Sequence, residues 1–214
     1  MKYINCVLII ITLFSLYVIG CVGLGWLPSF GESENAEQYN NVALNLSYSF
    51  IAGWIFYILV TYLPYKQRKH KFRQPIKEYL ELIHGRLLDS AKSAYPLSQH
   101  NTLRITEEGL KQRLRNYSVN YRSCYAVAGS NMTVLQHMCS QRTSILNLIE
   151  GVLNYKEYLD EEQIVVIEHI KNSLYFSMLN ALSVSIMDNE DYREKLASEL
   201  YKQIELSKSL LDGF

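Results

Sequence analysis

Two long stretches without a charge limit what this chain can fold into. Lys2 is followed by Tyr3–Phe30 with no acid or base, and Val42–Tyr65 is a second such run. Each exceeds the roughly 20 apolar residues that a helix needs to cross about 30 Å of hydrocarbon. The pattern predicts two membrane spans, at about 4–27 and 42–64, joined by a short loop, 28–41. The loop carries Glu32, Glu34 and Glu37 and no Lys or Arg. The far flank is the reverse: Lys66, Arg68, Lys69, Lys71 and Arg73 crowd into a juxtamembrane collar, 66–74, that holds no acid. Short Lys/Arg-rich loops stay on the cytoplasmic side, so both termini are expected inside and the acidic loop outside. Trp26 and Tyr39 at one boundary, and Tyr3, Tyr62 and Tyr65 at the other, suit interfacial aromatic belts.

Inside the expected spans the polar residues are few, and none is Asp, Glu, Lys, Arg or His. A proton relay or ion pathway built from one copy is therefore not expected. Gly20, Gly23 and Gly25 in the first span, with Ser49 and Gly53 four apart in the second, allow helices to approach closely. The approach is either between the two spans of one chain or between chains. Val18-Ile19-Gly20-Cys21 resembles a bacterial lipoprotein cleavage site, which would imply acylation of Cys21. Against it, the apolar run continues through Val22–Pro28 and a second span follows.

From Pro75 to Phe214 apolar residues recur at helical spacing. A first bundle helix is expected to begin at Gln74-Pro75, to bury Ile76, Leu80, Ile83, Leu87 and Ala91, and to end before Pro96. A second begins near Thr106-Glu107-Glu108 with the seam Leu110, Leu114, Tyr117, Tyr121, Cys124 and Ala128. A third follows Gly129-Ser130-Asn131 and carries Leu135, Met138, Ile145, Leu146, Ile149 and Val152. A fourth opens on Asp160-Glu161-Glu162-Gln163, a capping-box pattern, and runs through Ile164, Ile167, Ile170, Leu174, Met178 and Leu182 to Ile186. A fifth after Asp188–Asp191 presents Tyr192, Leu196, Leu200, Ile204 and Leu211. The expected fold is all-α: a two-helix transmembrane hairpin, 1–65, and a cytoplasmic antiparallel bundle of about five helices, 75–214.

The formal net charge of zero hides a polarity. Residues 65–122 hold thirteen Lys/Arg and five Asp/Glu, whereas 123–214 hold seven and thirteen. Arg104, Lys111, Arg115 and Arg122 line one face of the second bundle helix, either paired with acids such as Glu190, Glu194 and Glu199 or free for anionic lipid or an acidic partner.

No set of residues for chemistry emerges. GxxxxGK[ST], HExxH, GxSxG and paired CxxC are all missing. Glu81 and His84 have the i, i+3 spacing of bundle metal ligands, but such sites need a second pair and two more glutamates. His137 and Cys139, two apart on a helix, diverge; His70 and His169 read as solvated or structural. Cofactors and metals are not expected, and no catalytic residue is assigned. Tethered beside a membrane and without a recognition motif, the basic collar points to anionic headgroups rather than nucleic acid.

The layout is similar to that of small bacterial membrane proteins that sense or transmit, including accessory parts of anti-phage and toxin systems. That resemblance, one of architecture and not of residues, implies an inner-membrane scaffold or sensor, homo-oligomeric and docked to a cytoplasmic partner protein. The alternative is an effector whose assembled spans permeabilise the membrane.

Overall fold

A computed structural model describes residues 2–24, 36–100, 103–116, 123, 132–180 and 189–214. Every regular element of any length among them is helical, as the spacing of apolar residues predicts. Gly25, Trp26, Tyr117, Tyr121, Arg122, Cys124, Ala128, Leu182 and Ile186 lie outside the described residues. The chain divides into two compact units, Met1–Lys69 and His70–Phe214.

In the first unit α1 (Lys2–Val18) runs into a π-helical turn, Ile19–Gly23, and packs against α2 (Ala36–Tyr57). Among the described residues one helical stretch, Glu37–Lys92, is long and apolar enough to cross a membrane; Leu8–Gly23 is apolar but shorter. Of the two expected spans, the second alone is matched by such a helix among the described residues.

The burial pattern of this unit is inverted relative to a water-soluble core. Ile10 is 65% exposed and Phe56 67%, with Leu13, Phe14, Leu46 and Leu59 also outward, while Ser15 and Ser47 are 4% and 5% exposed. Small residues make the helix contact. A Cβ added to Gly23 would lie 3.0 Å from the Tyr48 hydroxyl and 3.1 Å from Leu44 Cδ1, so glycine sets the approach of α1 to α2.

A second π-helical turn, Ile58–Tyr62, joins α2 to α3 (Leu63–Lys92). The expected start at Gln74-Pro75 is corrected: the helix begins at Leu63, the collar is helical, and Pro75 lies inside it. Proline ordinarily marks a boundary because it lacks an N–H and presses on the carbonyl one turn back. Here Pro64 occupies the first turn, where no intrahelical donor is needed, and the preceding wide turn, with Leu63 N–H bonded to the Ile58 carbonyl, makes room for it. Past Pro75 the helix is held by its core face, since Ile76, Leu80, Ile83, Leu87 and Ala91 are all buried.

The second unit completes its core with α4 (Glu107–Asn116), α5 (Val134–Leu153), α6 (Glu161–Lys171), α7 (Leu174–Asn180) and α8 (Glu190–Asp212). Local chemistry explains the starts. Thr133 and Gln136 form a reciprocal capping box at α5, with Gln136 N–H donating to Thr133 Oγ1 at 3.2 Å and Thr133 N–H to Gln136 Oε1 at 2.9 Å. Asp160 N–H donates to Gln163 Oε1 at 3.0 Å before α6, and Asn189 caps α8 by accepting from Asp191 N–H at 2.9 Å. At the end of α3, His100 Nε2 lies 3.1 Å from the carbonyls of both Lys92 and Tyr95.

The single fourth helix of the expectation is two. Asn172 and Ser173, both poor in a helix interior because their side chains compete for backbone groups, end α6 and precede α7. The described part of this unit thus has six helices. Leu87, Leu110, Met138, Ile145, Val152, Tyr175 and Leu200 are fully enclosed. Helix α8 touches α4, α6 and α7, and α5 touches α6 and α7. Glycine here makes room for a ring: a Cβ at Gly151 of α5 would stand 2.9 Å from Tyr79 Cε1 of α3.

Candidate functional site

The basic collar is divided by its surroundings. In the first unit Lys66 and Arg68 are exposed and Lys69 is half-buried. In the second, His70, Lys71 and Arg73 are exposed, and Lys77 stands 4.0 Å from Glu81 in a loose i, i+4 pair. Arg73 is not simply solvated. Its Nε donates to the backbone oxygen of Phe214 at 3.0 Å, and its Nη2 donates to the same oxygen. Beside it Phe72 packs on the rings of Tyr155 and Tyr158, with centroids 5.2 and 5.0 Å apart. The start of α3 in this unit is thus tied to the end of α8 and to the turn that follows α5.

The basic stripe of α4 is mostly paired. Lys111 Nζ lies 2.7 Å from Glu107 Oε1, and Ser198 of α8 donates to that same carboxylate at 2.7 Å. Lys111 first, and Ser198 next, hold the Glu107 carboxyl below its usual range, and Glu107 pushes the Lys111 amine up. Arg115 bridges α4 to α8 through Glu190 at 3.3 Å and Glu194 at 3.2 Å. Arg104 is exposed. Of the acids expected to neutralise the stripe, Glu190 and Glu194 are found at Arg115, whereas Lys111 takes Glu107 of its own helix.

Of the small residues, Gly20 is half-buried and Gly23 sits against α2, whereas Ser49 and Gly53 face outward. A Cβ at Gly53 would meet nothing within 4 Å, so this pair takes no part in the contact with α1. Cys21 is enclosed within its unit.

Two polar pairs join α3 to the rest of its unit. His84 Nδ1 and Ser207 Oγ are 2.8 Å apart, and Ser207 Oγ donates to the Ile204 carbonyl at 2.8 Å. Because the hydroxyl gives its one proton to that carbonyl, the imidazole is the donor. This wiring is opposite to that of a base activating a nucleophile. Arg86 Nη1 donates to Gln141 Oε1 at 3.2 Å, which turns the Gln141 amide N–H toward His137 Nε2 at 3.3 Å. His137 is then neutral, with Nε2 accepting. Burial lowers the pKa of both histidines and is the largest cause in each. Glu81 lies with Lys77, and among the described residues no three His, Cys, Asp or Glu gather as a metal site.

Reading of the sequence missed Ser207, Gln203 and Phe214. Gln203 is 0% exposed, and among the described residues neither its amide nitrogen nor its oxygen has a hydrogen-bond partner. The signal for Ser207 and Gln203 lay in the fifth helix: three-residue steps from Leu200 and Ile204 put them on the buried stripe. Arg73 and Phe214 are 141 residues apart, beyond any local pattern.

No known protein-family pattern, no curated protein and no solved structure matches the chain.

Proposed function

We propose that the chain is a bacterial inner-membrane scaffold or sensor, crossing the bilayer twice with both termini inside. Its cytoplasmic bundle oligomerises and docks or regulates a partner protein in a defence or stress response. One observation carries the membrane part: the first unit exposes large aliphatic and aromatic side chains and encloses serines, the arrangement favoured where hydrocarbon is the solvent. The acidic loop and basic collar support the orientation. The bundle's polar pairs are structural in wiring, which favours a binding role over chemistry.

The test has two parts. A topology reporter placed at 32–40 should register outside, and one after 214 inside; the reverse result ends the orientation. Crosslinking of the full chain in native membranes should trap oligomers and a partner, and a chain that remains monomeric and alone at low and high salt ends the scaffold reading.

A second reading, permeabilisation by assembled spans, draws on the outward stripe Asn45, Ser49 and Gly53 of α2. Expression would then collapse the membrane potential, and a steady potential refutes it.

A further inference from the structure

We propose that His137 is an acid-operated release for Arg86: a proton on the imidazole Nε2 excludes the Arg86–Gln141 hydrogen bond, so acid uncouples the Arg86 guanidinium of α3 from α5. All three residues belong to the second unit, so the inference stands apart from the membrane reading. It goes beyond the scaffold role by giving the bundle a stimulus of its own, a fall in pH.

The three groups form a chain that starts in solvent and ends beneath it. Arg86 is exposed, whereas Gln141 and His137, four apart on one face of α5, are 7% and 8% exposed. Arg86 Nη1 donates to Gln141 Oε1 at 3.2 Å, and the Gln141 amide N–H faces His137 Nε2 at 3.3 Å. The direction of donation is fixed from the outer end, because a guanidinium has no acceptor. Gln141 must offer its oxygen to Arg86 and its N–H to the ring, and the ring accepts only while Nε2 carries no proton.

A proton on Nε2 sets two donors against each other. When the amide turns its oxygen to the imidazolium, its nitrogen, a donor only, faces a guanidinium that also only donates. Were Arg86 to follow the oxygen, one cation would be carried against another beneath the surface, where the dielectric is low. Either way the Arg86 bond is lost, and by linkage the bond and the proton oppose each other equally. The charges acting on the ring from the facing helix are Asp89 and Arg86 of α3: burial opposes the proton most, Asp89 favours it and Arg86 opposes it. Arg142, next to Gln141, donates instead to the Phe176 carbonyl of α7 at 3.2 Å. The apolar hold of α3 survives, since Ile83 and Leu87 on either side of Arg86 are buried. Acid thus opens one polar tie and leaves the bundle folded. His84 is wired differently: its Nδ1 donates to Ser207, and a proton on its Nε2 leaves that bond in place.

The experiment is nuclear magnetic resonance of the full chain in detergent micelles, with isotope-labelled His, Gln and Arg side chains, titrated from about pH 7.5 to about pH 5. His137 should take up its proton below the ordinary histidine value, since burial lowers it. With the same midpoint the Arg86 guanidinium should begin to rotate about tenfold faster, the scale of losing one hydrogen bond to a charged group. In His84→Gln that coupling should persist. In Gln141→Glu, whose carboxylate accepts from both cations, Arg86 should stay held throughout and His137 should keep its proton to higher pH. A His137 ring that stays neutral over the whole range overturns the proposal, and so does Arg86 motion that ignores the His137 midpoint. Loss of the core signals at that midpoint marks unfolding and overturns it as well. The same release of Arg86 in His137→Gln overturns the assignment to this ring, and release in Gln141→Glu overturns the assignment to the amide.

Discussion

The two units of this chain solve opposite problems with the same helix. In His70–Phe214 most of the described leucines and isoleucines are buried or half-buried and most of the charges exposed, so water drives the packing. In Met1–Lys69 large side chains such as Ile10, Leu13, Leu46 and Leu59 are outside, and serine and glycine lie where the helices meet. When both solvent and partner are apolar, hydrophobicity cannot sort the two faces, and close approach and polar contact take over. The contrast teaches that burial, not hydropathy alone, separates an anchor from a core. The uncharged stretch 172–187 shows the point, because the part of it described as α7 buries Tyr175, Phe176, Met178 and Leu179.

The contrast can be broken most severely at matched leucines. Leu87→Ala in the core should cost about 2–5 kcal/mol of bundle stability, whereas Leu13→Ala on the outward face of α1 should stay within about 0.5 kcal/mol. Denaturant unfolding in mild detergent reads both, and equal losses would erase the distinction. Next comes a charge on the outward face. Phe56→Arg should raise the cost of membrane insertion by about 2.5–3.5 kcal/mol, read as the inserted fraction in a glycosylation-mapping assay, and normal insertion would argue that this face meets water.

A stabilising change should be found at Gln203. Replacing it by Leu removes a buried amide without partners and should add about 1–3 kcal/mol, seen as a higher melting temperature. A lower one would show that the amide is satisfied in solution. Acid should act on the second unit in a smaller and signed way. Burial lowers the pKa of His84 and His137, so near their ordinary value of about 6.5 the unfolded chain binds more protons than the folded one. Their contribution is complete above that pH and is lost as pH falls below it toward the folded values. Denaturation midpoints should fall in that window, and His84→Gln with His137→Gln should flatten the profile there. The smallest effect is expected at the exposed bridge: Arg115→Gln should cost about 0.2–1 kcal/mol and lose even that in high salt.

Much of the second unit could be read from residues alone because its signals are local. All five apolar positions marked on α3 are buried, and the expected capping box at Asp160–Gln163 joins groups three residues apart. What escaped was non-local or hidden by a strong local rule. Proline at 64 and 75 read as a boundary, and only a widened turn two residues upstream of Pro64 shows how the helix passes through it. The break at Asn172-Ser173 lost to the apolar spacing that continues on either side. In the first unit the uncharged runs foretold apolar helices, but not that Gly23 would face α2 while Gly53 faces away. Periodicity gives a face, and only the packed partner says which face is used. The candidate site was legible as charge and illegible as connection: the collar's arginines are plain, yet Arg73 meets Phe214 from the other end of the chain.

The crossing of α5 over Tyr79 carries a consequence for how this sequence can drift. With 2.9 Å between a hypothetical Cβ at Gly151 and the ring, a larger residue at 151 requires the Tyr79 ring to shift. Related chains should therefore show the two positions changing together, a larger residue at 151 accompanied by a smaller one at 79. A set of relatives in which 151 varies freely against a constant tyrosine would mean that α3 and α5 sit farther apart in those proteins.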